Sequence, residues 1–364
     1  MLKSIYSLPS LPPPRKLETE AVLRAAAGAH RRLAEVKGRA TAIPNPGILI
    51  DTLSLQEARA SSEIENIVTT QDEMFQAVLF PDGPDRGPAK EVALYRDALR
   101  RGWDLMREKQ NLLTNNIILE MFRILKGTSG GFRETPGTAL KNDATGAIVY
   151  VPPQDRNEII RHMTALESFI NTDDDVDPLV KMALIHHQFE SIHPLPDGNG
   201  RIGRIVNVLY LARSGLLELP ILYLSRYITT HKPDYYRLLQ AVRDKGAWEE
   251  WILYMLRAVQ DTSLQTLELI QGIGGLMATY KHRIRSEHPR IYSQDLLNNL
   301  FRHPYTRIEF VQNELDVSRQ TAAKYLDQLS AAGIIEKRTA GKHNYYINGP
   351  LVDLFLRVSR DPTP

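Results

Sequence analysis

One short segment, residues 193–204 (HPLPDGNGRIGR), combines residue types that can transfer a phosphorus-containing group. A glycine-rich turn that leads into a helix exposes backbone N–H groups at the positive end of the helix dipole, which suits phosphate. Arg201 and Arg204 lie three residues apart and share a helix face, so both can bind further phosphate oxygens. Asp197 precedes the turn, where a carboxylate can hold a divalent metal. His193 begins the loop and can take a proton from an attacking hydroxyl, so the set predicts nucleotidyl or phosphoryl transfer.

The segment also contains the spacing GxGxxG, at Gly198, Gly200 and Gly203, which occurs in dinucleotide-binding proteins. That fingerprint requires a β-strand directly before its first glycine. Residues 179–192 have a helical pattern instead and are followed by prolines, so we reject a dinucleotide site. An ordinary helix start with surface arginines is the simpler alternative.

Residues 193–204 resemble the signature of Fic-domain proteins, HPFxDGNGRxxR. Every polar position matches, and the departure is Leu195, where the family usually has an inward-packing Phe. The resemblance covers roughly residues 40–260. It includes stretches similar to the family's β-hairpin flap and to the segment that follows the motif, at residues 131–133, 149–153, 223–228 and 235–236.

The resemblance implies an enzyme that transfers AMP from ATP to a Ser, Thr or Tyr hydroxyl of a target protein. His193 would be the base that deprotonates this hydroxyl, and Asp197 would coordinate Mg²⁺ between the phosphates. The implied nucleotide-binding residues are Glu65, Gly198, Asn199, Gly200, Arg201, Ile202, Gly203, Arg204, Tyr235 and Tyr236, although either tyrosine could belong to the core instead.

The resemblance also assigns a function to the predicted hairpin. The flap would hold a segment of the target protein by adding it as an extra strand, a common mode of peptide capture. Its expected target-binding residues are Gly146, Ile148, Val149 and Tyr150.

A second motif lies in the N-terminal part of the chain, at residues 61–66 (SSEIEN). It resembles the inhibitory pattern of Fic proteins, with Ser61, Glu65 and Asn66 at the defining positions. The Glu65 carboxylate can pair with Arg204, and such a charge-assisted pair is strong enough to compete with a phosphate oxygen. The alternative is a surface glutamate on an amphipathic helix.

The elements that must position these motifs are mainly helices, so the predicted fold class is mainly α. We expect helices at 15–40, 49–68, 89–108, 114–126, 156–171, from 178 on, 200–213, 233–243 and 247–271. The β-formers at 147–151, after several glycines, predict the hairpin. The predicted domains are a helical region at 1–105 with the inhibitory motif, a Fic catalytic domain at 106–275 and a winged-helix-like domain at 285–350.

The predicted C-terminal domain has helices at 293–302, 307–315 and 319–331, followed by two short strands around a turn at 341–342. This order resembles a winged helix-turn-helix, with Arg319, Gln320, Thr321 and Lys324 on the exposed face of the second helix. Residues 290–349 contain eight Lys/Arg and six Asp/Glu, a charge of 8 − 6 = +2, which is poor for DNA binding. DNA is therefore a possible but not favoured partner, behind a protein-docking or dimerisation role that includes a homodimer.

The composition of the 364-residue chain excludes several protein classes. With 45 Lys+Arg against 43 Asp+Glu, its formal charge is +2, which argues against a protein that coats nucleic acid. Zero cysteines exclude a disulfide framework, a cysteine nucleophile and a zinc finger. No apolar run approaches the roughly 18 residues of a membrane span, and the N-terminus lacks the features of a signal peptide, so we expect a cytoplasmic protein without a membrane partner.

The leading hypothesis is a self-inhibited protein adenylyltransferase. One alternative is a DNA-binding regulator whose Fic domain only senses nucleotide, but a sensor would need no base at His193. The other is a Fic enzyme that transfers another nucleotide or phosphate group, or removes AMP.

Overall fold

The computed structural model describes residues 6–80, 87–141, 145–340 and 343–359. Helices dominate these residues, as predicted. The helices are α1 (Glu20–Ala40), α2 (Pro46–Ile64), α3 (Gln71–Leu79), α4 (Pro88–Glu108), α5 (Asn115–Lys126), α6 (Arg156–Asn171), α7 (Pro178–Ile192), α8 (Asn199–Arg213), α9 (Ser225–Thr230), α10 (Lys232–Lys245), α11 (Trp248–Glu287), α12 (Gln294–Arg302), α13 (Ile308–Leu315), α14 (Arg319–Ala331) and α15 (Gly349–Ser359). The strands are β1 (Leu140–Lys141), β2 (Ile148–Tyr150), β3 (Tyr305–Thr306), β4 (Glu336–Ala340) and β5 (His343–Ile347).

The centre of the core is α7. Every residue from Leu179 to Ile192 is buried, including the polar and charged Lys181, Gln188 and Glu190, so the helix is enclosed on all sides. It begins at Pro178, a favourable first helical residue, and the Asp177 carboxylate caps it by accepting from two backbone N–H groups. The helix ends at Ile192 with His193 as its cap residue, so the packing of α7 determines where the segment 193–204 begins.

Two histidines of α7, His186 and His187, are fully buried and belong to the core. His186 Nε2 lies 2.9 Å from the Tyr235 hydroxyl, and the ring stacks against Trp251 at 6.0 Å. His187 packs edge-to-face against Trp248 at 4.7 Å. Burial lowers the pKa of His186 to about 3 and that of His187 well below its usual value, so both rings are neutral.

The predicted hairpin is present as a short antiparallel pair. In it, Leu140 of β1 pairs with Tyr150 of β2. Residues 142–144 at its tip lie outside the described part of the chain.

The predicted domain boundaries both fall inside helices. The boundary at 105/106 lies within α4, which continues to Glu108. The gap expected between 275 and 285 lies within α11, a helix of 40 residues that packs along α1. The expected end at residue 271 was wrong because the buried positions continue at helical spacing through Met277, Tyr280 and Ile284. The predicted Fic catalytic domain and the predicted winged-helix-like domain are therefore joined by one continuous helix.

Residues 288–359, which we call the C-terminal unit, begin after α11. Strand β3 lies between α12 and α13 in the chain, and β4 and β5 follow α14. In the sheet β5 lies between β3 and β4, with both pairs antiparallel. Ser318 caps α14 by accepting from the Thr321 N–H. The order of elements is consistent with a winged helix-turn-helix, and its predicted turn at 341–342 lies outside the described residues. Helices α3, α9 and α15 and strand β3 were not predicted.

None of the helices in the described residues combines the length and the apolar character needed to cross a membrane.

Candidate active site

The catalytic motif starts with a histidine in an unusual backbone conformation. His193 has φ +49°, in the left-handed region, where it ends α7. Arg133 fixes this turn, because its Nε donates to the His193 carbonyl and its N–H to the Pro194 carbonyl, each at 2.8 Å. Burial, together with the positive charges of Arg133 and Arg243, lowers the pKa of His193 to about 4. At neutral pH the imidazole is therefore uncharged and able to accept a proton.

The loop between His193 and α8 is closed by Asn199. Its Oδ1 accepts from the Leu195 N–H and its Nδ2 donates to the Leu195 carbonyl, both at 2.8 Å. Leu195 itself is fully buried, so it packs inward at the position where the resemblance expects a phenylalanine. The Asn199 side chain thus holds the loop, which leaves its backbone to face a ligand.

The first turn of α8 is open to an anion. Gly198 precedes it with φ +74°, and no side chain caps the helix, so its first N–H groups lack intrahelical acceptors. Such a helix start attracts phosphate. Ile202, expected among the nucleotide-binding residues, is fully buried in the core, and Gly203 lies against the buried Glu190, where an added Cβ would be 2.9 Å from Glu190 Oε1.

Asp197 lies on the exposed side of the loop, with 65% of its side chain accessible. Its Oδ1 accepts from the Gly198 N–H and its Oδ2 lies 2.6 Å from Lys126 Nζ. Partial burial opposes ionisation, but the Lys126 ammonium outweighs it and holds the pKa of Asp197 below its usual value. An ionised, exposed carboxylate is a suitable ligand for Mg²⁺. Among the described residues no group of three acidic or histidine side chains could hold a metal, so Mg²⁺ here would depend on phosphate oxygens for most of its ligands.

Arg201 and Asp197 belong to a chain of alternating charges that the sequence did not predict. Arg201 Nη1 lies 2.5 Å from Glu91 Oε2 on α4, and its side chain is almost fully buried. Lys126 on α5 lies 3.9 Å from the same Glu91 oxygen and bonds Asp197. Glu91 and Lys126 lie far from the motif in the sequence, and no spacing rule connects them to it.

Arg204 forms the pair that the inhibitory motif predicts. Its Nη2 donates to Glu65 Oε1 at 2.8 Å, and the guanidinium also donates to the Ser61 hydroxyl and carbonyl, at 2.8 and 2.9 Å. Only 1% of the Arg204 side chain is exposed. Burial disfavours its charge, but the Glu65 carboxylate, Tyr235 and Glu190 outweigh this, so the pKa of Arg204 is raised. The Glu65 carboxylate is therefore bound to the Arg204 guanidinium, near the start of α8.

A glycine makes this close contact possible. A Cβ at Gly200 would lie 2.3 Å from Glu65 Oε1 and 2.8 Å from Arg204 Nη1. The third residue of the inhibitory motif, Asn66, has φ +61°, and its Oδ1 accepts from Lys232 Nζ at 3.0 Å. Lys232 is another contact that the sequence did not predict.

Behind Arg204 lie two buried carboxylates that sequence reasoning missed. Glu57 accepts from the Ser225 N–H at 2.9 Å, from the Ser225 hydroxyl and from the Tyr95 hydroxyl at 3.3 Å. Burial raises the pKa of Glu57 to about 7 despite these hydrogen bonds. Burial likewise raises the pKa of Glu190 to about 7, and its Oε1 has no hydrogen-bond partner in the part of the chain that the structure describes.

Three family models match the chain in consecutive segments. They are "Fic/DOC family N-terminal" at residues 23–104, "Fic/DOC family" at 112–211 and "Protein adenylyltransferase SoFic-like, C-terminal domain" at 276–351. The chain belongs to the Fic/DOC family.

A curated relative of this Fic protein is named a probable protein adenylyltransferase, from Aquifex aeolicus. The two chains are 26% identical over 187 residues, which are 50% of this chain and 54% of the relative. This chain thus spans about half the length of the curated relative that it matches.

Solved structures of other Fic proteins share the fold. A Fic family protein from Desulfovibrio desulfuricans G20 has a TM-score of 0.55 at 20% identity and covers 92% of this chain and 98% of its own. Residues 134–508 of Fic-1 from C. elegans have a TM-score of 0.53 at 18% identity and cover 69% of this chain and 74% of that structure.

The flap of this Fic protein has one inward and two outward side chains. Tyr150 is buried, donates its hydroxyl to the Ser191 carbonyl at 2.7 Å and lies under the Arg243 guanidinium, 3.9 Å from its ring centroid. Ile148 and Val149 are 48% and 44% exposed, and Gly146 turns the chain with φ +69°. Tyr150 thus anchors the flap, and the accessible apolar surface belongs to the other two.

The two tyrosines expected near the nucleotide differ in the same way. Tyr235 is fully buried between His186 and Trp251, so it belongs to the core. Tyr236 is 47% exposed and is the one that a ligand could reach.

Proposed function

We propose that this chain is a self-inhibited protein adenylyltransferase, which transfers AMP from ATP to a Ser, Thr or Tyr hydroxyl of a target protein and of itself. The observation that carries the proposal is the 2.8 Å contact of Glu65 with Arg204, beside an uncapped helix start and a neutral His193. Family membership and the name of the Aquifex aeolicus relative support the reaction class.

In the productive complex the phosphates of ATP bind to the first N–H groups of α8, with Arg201 and Arg204 as cationic partners. The target hydroxyl oxygen attacks the α-phosphorus, its proton passes to the His193 imidazole, and the bond to the β-phosphate breaks to release pyrophosphate. Asp197 would hold Mg²⁺, which neutralises charge on the phosphates. The low pKa of His193 keeps the imidazole free to accept this proton at neutral pH.

The inhibition that we propose is competition for one guanidinium. Arg204 already has three acceptors from the inhibitory motif, Glu65 Oε1 and two oxygens of Ser61. A γ-phosphate can engage Arg204 fully only when the Glu65 carboxylate leaves it, because Glu65 Oε1 already holds Nη2 and lies against Gly200 at the start of α8, where the phosphate would bind. ATP that binds without this contact would hold its α-phosphate out of line for attack.

The target segment would lie along the flap. Ile148 and Val149 present exposed apolar side chains beside exposed strand backbone, which suits an added strand. Arg133 and Arg243 tie the base of the flap to the catalytic loop, through the Pro153 carbonyl and the Ser191 hydroxyl.

The test is self-labelling of the Glu65→Gln protein with ATP that carries the label either on the α-phosphate or on the γ-phosphate. We expect incorporation from the α-labelled ATP alone, because AMP transfer retains that phosphate and releases the other two. Incorporation from γ-labelled ATP would show phosphate transfer instead. Labelling only by another nucleoside triphosphate would show that ATP is not the donor. The matched control is His193→Ala in the same background, which should not be labelled.

A further inference from the structure

We propose that the C-terminal unit positions the inhibitory helix α2, with Arg302 and Tyr305 as positioning residues that determine how firmly Glu65 stays on Arg204. This inference rests on the proposed function, since it concerns the regulation of the same site. It gives the C-terminal unit a role within the chain that needs neither DNA nor a second protein.

The first anchor acts near the start of α2. Asp51 lies in the first half of this helix and is nearly buried. Its Oδ2 pairs with Nε of Arg302, the last residue of α12, and its Oδ1 pairs with Arg100 Nη1 at 2.8 Å. Because Arg100 lies on α4 and Arg302 on α12, the Arg302 pair is the one that ties α2 to the C-terminal unit.

The second anchor acts on α3, which follows the inhibitory motif directly. The Tyr305 hydroxyl donates to Asp72 Oδ1 at 2.7 Å, and the Tyr305 ring stacks on the buried Phe75 with 5.1 Å between the ring centroids. The amides of Gln71 and Gln56 bond each other, with one contact at 3.0 Å, and so connect α3 to α2. Strand β3 of the C-terminal unit thus reaches α2 through α3.

Glu65 lies between these two anchors. It ends α2, and only residues 65–70 separate α2 from α3. Gln56 and Ser61 lie on the same helix, five residues apart, so a shift of α3 relative to α2 acts on the turn that holds Arg204. Asp51 lies about 20 Å from Glu65 along the helix, and a rigid helix transmits a tilt over that length. Loss of either anchor should therefore weaken the contact between Glu65 and Arg204.

The test uses the full chain with Arg302→Ala and Tyr305→Phe, each made alone and together with Glu65→Gln. Tyr305→Phe removes a single hydroxyl and keeps the stacked ring, so it tests the anchor even if Arg302→Ala folds poorly. Lys337→Ala is the matched control, because Lys337 pairs with Asp327 inside the C-terminal unit and touches neither α2 nor α3. The measurements are label incorporation from α-labelled ATP and hydrogen exchange of a peptide that covers residues 58–70.

We expect each anchor variant to raise transfer about fivefold or more in the otherwise wild-type chain, in the usual range of coupling between sites. In the Glu65→Gln background it should change transfer less than twofold, because the charged contact that it weakens is already absent. Exchange in residues 58–70 should become faster, and Lys337→Ala should change neither readout.

Equal effects in both backgrounds would mean that the anchors act on general stability, which overturns the proposal. Unchanged transfer and exchange in both anchor variants would overturn it as well. If Glu65→Gln activates but the anchor variants do not, the positioning role fails while the proposed function stands. If Glu65→Gln itself has no effect, the inhibitory role of Glu65 fails, and the positioning role fails with it.

Discussion

Replacing Glu65 by glutamine is the sharpest perturbation of the proposed regulation. Glutamine keeps the length, shape and acceptor oxygen of the side chain but removes its charge, so the 2.8 Å hydrogen bond with Arg204 becomes a weaker one to a neutral acceptor. The two hydrogen bonds to Ser61 remain and keep the guanidinium in place. The variant should therefore change the competition for Arg204 without collapsing the site.

The magnitude follows from the burial of the two partners. A hydrogen bond to a charged group contributes about 1.5–3 kcal/mol, and one between neutral groups about 0.5–1.5 kcal/mol. The glutamine amide oxygen can still accept from Arg204, and the Glu65 side chain is 35% exposed, so the substitution should weaken the inhibitory contact by about 1 kcal/mol. Since about 1.4 kcal/mol corresponds to a tenfold change in an equilibrium, the active pose should gain roughly fivefold in population.

The assay is the initial rate of self-labelling from α-labelled ATP at equal protein concentration. Glu65→Gly should also activate, although glycine weakens the helix by about 0.5–1 kcal/mol. Glu65→Gly combined with Arg204→Ala should lose the gain, because the released arginine is what positions the triphosphate. The reasoning would be refuted if the Glu65→Gln protein labels itself no faster than wild type while substitutions of His193 and Arg204 still lower the labelling rate.

Three further predictions concern other parts of the molecule. His193→Ala, in the Glu65→Gln background, should lower transfer by about 10²–10⁴-fold and leave ATP affinity nearly unchanged, as measured by calorimetry, because the imidazole acts on the hydroxyl and the phosphates bind elsewhere. Glu57→Gln should gain thermal stability relative to wild type as the pH rises from about 4.5 to 7. The reason is that burial raises the pKa of Glu57 to about 7, so the Glu57 carboxyl ionises in the unfolded wild-type chain over this pH range but not in the folded one. The wild type therefore loses stability that the glutamine variant keeps. A difference in melting temperature between the two proteins that stays constant with pH would contradict this. The full chain should show no sequence-specific DNA site of nanomolar affinity at physiological salt, and a selection experiment that returned one would favour the regulator hypothesis.

Local sequence signals predicted the helices that carry the motif. The helix at 156–171 has the predicted bounds, and the one at 200–213 begins one residue early, at Asn199. The sequence also contained an overlooked signal for α3, because Thr70 and Glu73 form a capping box at its start. The far end of α11 was also overlooked, although Met277, Tyr280 and Ile284 continue the apolar positions at helical spacing, and α1 and α15 pack against this helix.

The pairing of Glu65 with Arg204 could be predicted because two recognisable motifs each supplied one partner. The contacts of Asp197 and Arg201 could not, since Lys126 and Glu91 come from helices with no motif of their own. Charge partners of this kind are determined by tertiary packing, and one sequence gives no spacing rule for them.

The central claim is that this chain forms a bond between AMP and a protein hydroxyl. The most direct measurement is the intact mass of the Glu65→Gln protein after incubation with ATP and Mg²⁺, followed by localisation of the adduct by peptide sequencing. The account predicts a mass increase of one AMP group on a Ser, Thr or Tyr, absent when His193→Ala is added. An unmodified protein, or an adduct that forms equally well without His193, would contradict it.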